Sequence, residues 1–469
     1  MRSLMLFSLV AGCATAPQRA ATPQATASES ARQTLRYQVE GVSVIQVIDT
    51  SLPTIRLTYQ FPQGADAEQP SELGATRLLA SLMTKGSKGR SAMEVAQAVD
   101  ALGASISGSA SRDAMTFSAG GLSRDLGALS TLLADTVRHP NLDAQEFERL
   151  KRQALAGMKS SRTRGQSLAQ PALLKLMYNG DRLGTPISGD EASVGALGLE
   201  TLKSLYKQSV HPGGLVIGVF GDATQAEVTK HLKTQLAGWV AQGERKRPPE
   251  AAFAPKVRIH LVDKPDLTQV NVHLGHAGIK RNRDDFEAVT LMNYALGGGG
   301  FSSRLMKLIR SERGLTYGIR SGFSSGERAG PFMITSFTRV DKVRELIDLS
   351  MRVLSEVKNQ GITQGELDDA KGYYLGSYPL SLETVEGEGG KLLQAARYGL
   401  GDDFISAYPK RLEAVTLEAV NALAKSLLEP DKLVIVLVGP KDQLIESVKD
   451  LGAMRATWWE DDRPVSVTP

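Results

Sequence analysis

The sequence predicts an α+β fold built from two homologous domains of about 200 residues each, and three observations predict it. The 469-residue chain exceeds the usual size of a single core. Strand-like and helix-like patterns alternate from about Tyr37 onward. Two segments recur at nearly constant distance: Leu215–Gly221 (LVIGVFG) matches Leu433–Gly439 (LVIVLVG) at 439 − 221 = 218, and Leu78 and Met83 match Leu291 and Leu296 at 291 − 78 = 213.

The elements follow in order. Arg2, the short apolar run from Leu4 to Val10, and Ala11, Gly12 and Cys13 have the layout of an export signal, expected over 1–12 and too short to span a bilayer. Residues 13–35, rich in Ala, Thr, Pro, Gln and Ser, lack the large apolar side chains that would offset ordering entropy, so a flexible tether is expected. Val42–Val47 and Ile55–Phe61 read as strands around Pro53. Glu72–Met83 and Ala92–Leu102 have helical spacing, and Ile106–Ala119 alternates like strands. Leu126–Arg138 and Ala144–Ser160 are longer helical stretches, broken by His139-Pro140-Asn141. The first domain is expected over 36–242, a polar, Pro-containing linker over 243–256, and the second domain over 257–455.

Composition narrows function. A net charge of +4 is small for this length and argues against nucleic acid. A single cysteine, Cys13, rules out a disulfide within the chain. The six histidines are His139, His211, His231, His260, His273 and His276. No helical H-x-x-x-H pair occurs among them, and His273 and His276, three apart on an expected strand, point to opposite faces. No metal site is visible. The glycine run Gly297–Gly300 lacks the Gly-Lys-Ser/Thr of a phosphate loop, so it is read as ending one helix, with Ser302 or Ser303 capping the next.

Leu9-Val10-Ala11-Gly12-Cys13 resembles a bacterial lipoprotein box, which implies cleavage before Cys13, lipid on its sulfur, and a bacterial cell-envelope location facing the periplasm. The stretch Ser71–Ser87 (SELGATRLLASLMTKGS) is similar to the first core helix of the pitrilysin/insulinase family of zinc peptidases, which includes mitochondrial processing peptidase. That resemblance implies, for each domain, a mixed sheet packed by helices. Active members carry H-x-x-E-H on this helix, two imidazoles on one face and a glutamate to activate water. Here those positions fall on Arg77, Ala80 and Ser81. A guanidinium has no lone pair to give and Ala80 offers no base. The family's later glutamate ligand falls near Ala156 and Gly157, with Glu148 too early to match, and the family's histidine before Gly184 is replaced by Asp181 and Arg182.

Asn293–Tyr317, from the glycine run through Ser303-Arg304-Leu305 to Arg310 and Tyr317, resembles the family's second-domain motif, in which an arginine and a tyrosine seven residues later bind substrate. The resemblance implies that Arg310 grips substrate carbonyls and Tyr317 donates to the developing oxyanion. Some bacterial members divide the labour between two chains. The expectation is therefore a subunit without zinc, inactive alone, that orients peptide for a zinc-bearing homologue in a heterodimer or larger assembly. Two alternatives stay open: a non-catalytic scaffold or peptide-binding protein of the same fold, and an autonomous metallopeptidase with a site of another kind.

Overall fold

The computed structural model describes residues 32–241 and 247–467. The expected export signal, Cys13 and the tether up to residue 31 lie outside the described residues. Strand formation begins earlier than expected: β1 spans Gln33–Val39, so Gln33, Thr34 and Leu35 belong to a sheet and not to the tether.

The first sheet contains β1, β2 (Val42–Ile48), β3 (Thr54–Phe61), β4 (Ser105–Ala110), β5 (Met115–Leu122) and β6 (Val216–Gly221), in the order β1-β2-β6-β3-β5-β4. The second contains β7 (Ile259–Asp263), β8 (Gln269–Ala277), β9 (Ile319–Phe323), β10 (Pro331–Arg339), β11 (Val434–Gly439), β12 (Met454–Trp458) and β13 (Pro464–Val465), in the order β13-β12-β7-β11-β8-β10-β9. The duplication is visible in the pairing. The late apolar strands β6 and β11 each insert between an early parallel neighbour, β2 or β7, and an antiparallel one, β3 or β8. Both sheets are mixed and packed by helices, as the family resemblance implies. Being central, β6 and β11 are buried on both faces, which explains their unbroken apolar sequences.

The helices do not respect the division along the chain. Helix Gly165–Met177, from the first half, packs on β7, β8 and β11 of the second sheet through Ala169, Leu173, Leu176 and Met177. Helix Val385–Tyr398, from the second half, packs on β2 and β6 of the first sheet, with Leu392 and Leu393 against Ile45, Val47 and Phe220. Each sheet is thus completed by a helix from the other half. The expected end of the second domain at 455 is too early, since it cuts β12 and omits β13.

Buried charge joins the halves as well. Arg328, in the β9–β10 connection and 4% exposed, pairs with Asp181 at 2.5 Å and lies 3.9 Å from Asp66. Burial pushes the Asp66 carboxyl upward against the pull of Arg112, Arg328 and Arg182. Asp113 accepts from Tyr398 at 2.7 Å and Arg397 at 3.1 Å. Burial disfavours its charge, yet these two partners hold its carboxyl below the usual range. Among the described residues no helix is long and apolar enough to cross a membrane.

Candidate functional site

The first core helix runs Ala75–Met83, and its start is stabilised from outside. Gly74, at φ +91°, makes the turn into it. Glu68 then accepts from the N–H groups of Gly74 (3.0 Å) and Thr76 (2.8 Å), placing a carboxylate on the unsatisfied donors and positive end of the helix. Arg182 closes the arrangement, donating to Glu68 at 2.7 Å with both side chains almost fully buried. Arg182, which stands where the family's histidine motif departs, therefore has a structural partner.

Leu78, Leu79, Ala80, Leu82 and Met83 face the core, while Arg77 is exposed and Ser81 is half-buried. The Ser81 hydroxyl donates to the Arg77 carbonyl at 3.1 Å, so it is spent on its own helix. Strand β4 passes directly beneath: a Cβ on Gly108 would lie 2.3 Å from the Ala80 carbonyl oxygen. On helix Ala144–Arg162, which also packs against this helix, Glu148, Ala156 and Gly157 are exposed. A guanidinium, a buried methyl and a committed hydroxyl do not fit a zinc ion. Among the described residues no group of three or more His, Cys, Asp or Glu side chains is placed to hold a metal.

The second candidate region starts at helix Phe286–Asn293, which widens into a π-helical turn at Tyr294–Gly298. Gly297 is required there, since a Cβ would meet Ser321 Oγ at 2.5 Å and Leu305 Cδ1 at 2.7 Å. Asn293 fastens this turn to edge strand β9, accepting from the Ser321 hydroxyl at 2.7 Å and donating to its carbonyl at 3.2 Å. Neither Ser302 nor Ser303 caps the next helix by its side chain. Ser303 is buried and its hydroxyl turns back to donate to the Gly300 carbonyl at 2.7 Å. Arg304 is a structural residue, bidentate to Glu366 at 2.6 Å.

A second π-helical turn, Met306–Glu312, carries Arg310. Its guanidinium lies over the ring of the exposed Phe301, 4.5 Å from the centroid. Phe301 has no sequence signal of its own; only its place in the glycine-run string could have suggested it. The segment after the turn is tightly held. Leu315 N–H donates to Ile309 O at 3.0 Å, Thr338 Oγ1 donates to Leu315 O at 2.7 Å, and Thr316 Oγ1 bonds both N–H and C=O of Gly318 at 3.1 Å. Between these anchors Tyr317 projects with 79% of its surface exposed. Neither the Arg310 nor the Tyr317 side chain makes a hydrogen bond or ion pair with another described residue, and the two do not bond to each other. Both present donors on a fixed backbone.

Behind this ledge, His273 on β8 lines a cavity of about 410 Å3 together with Gly297, Gly298, Gly318 and Arg320. Burial pushes its ring down to about 4, and its Nδ1 lacks a partner among the described residues. His276, on the same strand, stacks on Phe332 at 4.6 Å and accepts from Glu429 N–H at 3.3 Å.

Comparison with known proteins places both halves of the chain in one family. Residues 45–191 match the model of the insulinase family, peptidase family M16, and residues 196–374 match the peptidase M16 inactive domain. The chain is 25% identical over 417 residues to an uncharacterized zinc protease, YmxG, of Bacillus subtilis, covering 87% of this chain and 99% of that one. It is 26% identical over 404 residues to the non-peptidase homolog YmxG of Helicobacter pylori, covering 85% and 92%. The crystal structure of a peptidase M16 inactive domain from Pseudomonas fluorescens superposes with a TM-score of 0.81 at 30% identity, covering 87% of this chain and 98% of that one. With its duplicated mixed sheets and a first core helix that carries Arg77, Ala80 and Ser81 in place of metal ligands, the chain belongs to the insulinase family of peptidases, as a member without the zinc motif.

Proposed function

We propose that this chain is the non-zinc subunit of an insulinase-type peptidase and that it binds and orients peptide for a zinc-bearing homologous chain. The observation that carries the reading is the contrast between two regions. The first core helix keeps its packing and its Glu68–Arg182 cap without any group that could hold metal. The Arg310–Tyr317 segment keeps two unsatisfied donors on an anchored backbone.

In this reading zinc, carried by the partner, supplies the activated water. Arg310 holds a substrate carbonyl, with Phe301 limiting where its guanidinium can go, and Tyr317 donates to the oxygen on which charge develops. Peptide extends along a sheet edge. The first sheet ends in β4, whose residues alternate between exposed and half-buried and which lies beside the first core helix. The assembly is held at the bacterial cell envelope, facing the periplasm, by lipid on Cys13. Membrane fractionation of a Cys13→Ser variant tests that anchor, since the variant should move to the soluble fraction.

The deciding experiment mixes this chain with a homologue that carries H-x-x-E-H on its first core helix. Chelator-sensitive peptide cleavage should need both chains. Cleavage by this chain alone, abolished by chelator, would sink the reading. Unchanged activity of the homologue on mixing would leave a non-catalytic scaffold as the function.

A further inference from the structure

A second cavity, of about 470 Å3, lies between helix Gly165–Met177, the end of helix Ala144–Arg162, the segment 184–191 and strands β7 and β12. Its volume lies in the range of small-molecule sites. Leu168 and Ala172 from the helix and Val262 from β7 give it an apolar wall beside His260, Arg455 and Thr457, while the carboxylates Glu191 and Asp462 on its rim are paired with Arg162 and Lys175.

Arg455, His260 and Thr457 form a chain of bonds with a defined direction. Arg455 donates from Nη2 to His260 Nδ1 at 3.4 Å. The His260 Nδ1 is therefore the acceptor, its proton sits on Nε2, and Nε2 donates to Thr457 Oγ1 at 3.0 Å. The Thr457 hydroxyl proton is left without an acceptor among the described residues. Burial, with the charge of Arg455 beside it, pushes His260 down to about 4, so the ring is neutral near neutral pH and adds no second positive charge beside the guanidinium.

Arg455 differs from its cationic neighbours. Arg162 pairs with Glu191 at 3.0 Å and Asp462 at 3.3 Å, and Lys175 reaches Asp462 at 3.5 Å. Arg455 has no ion pair with a described carboxylate, and its Nε is buried without a hydrogen-bond partner. A half-buried guanidinium with unused N–H groups and no carboxylate within ion-pair distance, Asp462 acting on it only from further off, is costly unless an anion satisfies it.

We propose that this cleft binds a small organic carboxylate with an apolar body, the carboxylate on Arg455 and the Thr457 hydroxyl and the body against Leu168, Ala172 and Val262. A planar guanidinium suits a carboxylate in a two-point contact, and a cavity of about 470 Å3 has the volume of a small-molecule site.

The test is calorimetric titration of the full chain with decanoate, N-acetylleucine, decan-1-ol and inorganic phosphate. The two carboxylates represent the two sources of the same chemistry, a free acyl chain and a peptide C-terminus. At least one of them should bind, more tightly than either the alcohol or phosphate. Arg455→Gln should weaken that binding by about tenfold or more. Ala172→Trp, which fills the cleft from the helix and leaves Arg455 untouched, should also abolish it. Circular dichroism melting checks that both variants are folded. No binding of either carboxylate, equal binding of decan-1-ol, or undiminished binding to folded Arg455→Gln would overturn the proposal.

Discussion

At Tyr317 the chain spends several hydrogen bonds to fix a backbone whose side chain then stands in water. An exposed phenol contributes little to folding, so Tyr317→Phe should leave the melting temperature unchanged. In the mixed assembly it should lower turnover by about 10²- to 10³-fold, the usual cost of losing one oxyanion donor, as read by steady-state kinetics. Glu68 is the opposite case. Removing its carboxylate strips the first core helix of its outside cap and leaves Arg182 buried without an ion pair. Glu68→Ala should cost about 3–5 kcal/mol in urea unfolding. Arg77, Ala80, Ser81, Arg310 and Tyr317 could be singled out in the sequence because each lies in a contiguous string with fixed spacing. The roles of Glu68 and Arg182 could not, because the two are 114 positions apart and neither periodicity nor spacing links them. The stacking of Arg310 on Phe301 escaped for a related reason: it needs the curvature of two π-helical turns, which local pattern does not encode.

The elements themselves were largely readable. The stretches Val42–Val47 and Ile55–Phe61 correspond to β2 and β3, and Leu126–Arg138 is a helix over the same residues, because alternation and helical spacing survive in half-buried elements. Helix Gly165–Met177 was not readable. It contains Pro171 and begins with glycine, and the surface that buries it belongs to a sheet formed about 100 residues later. At this scale the contact of β4 with the first core helix is sensitive to small changes. Gly108→Ala places a Cβ against the Ala80 carbonyl and the Phe117 ring. It should destabilise by about 1–3 kcal/mol, measured by thermal or urea unfolding, because backbone on one side and a packed ring on the other leave little room to yield.

Across the whole molecule, four buried imidazoles tie stability to pH; burial lowers His211 as well, and shifts the other three most. Burial is the main cause that pushes His260, His273 and His276 each down to about 4 from 6.5. Their folded values lie below the unfolded one, so the unfolded chain takes up protons first as pH falls. The stabilisation is complete above 6.5 and is lost between 6.5 and about 4, at up to about 1.4 kcal/mol per pH unit for each histidine. Urea unfolding at steps from pH 7.5 to 4.5 should show this slope, and His273→Gln should flatten it.

The two traded helices carry a consequence for any break in the polypeptide. A protease nick between Ala241 and Arg247 would free neither piece, because each would remain clasped by a helix belonging to its counterpart. Produced separately, the fragments should be insoluble or partly folded, each with an uncovered sheet. Co-expressed, they should assemble into a stable nicked molecule, and size-exclusion chromatography would recover them as one species.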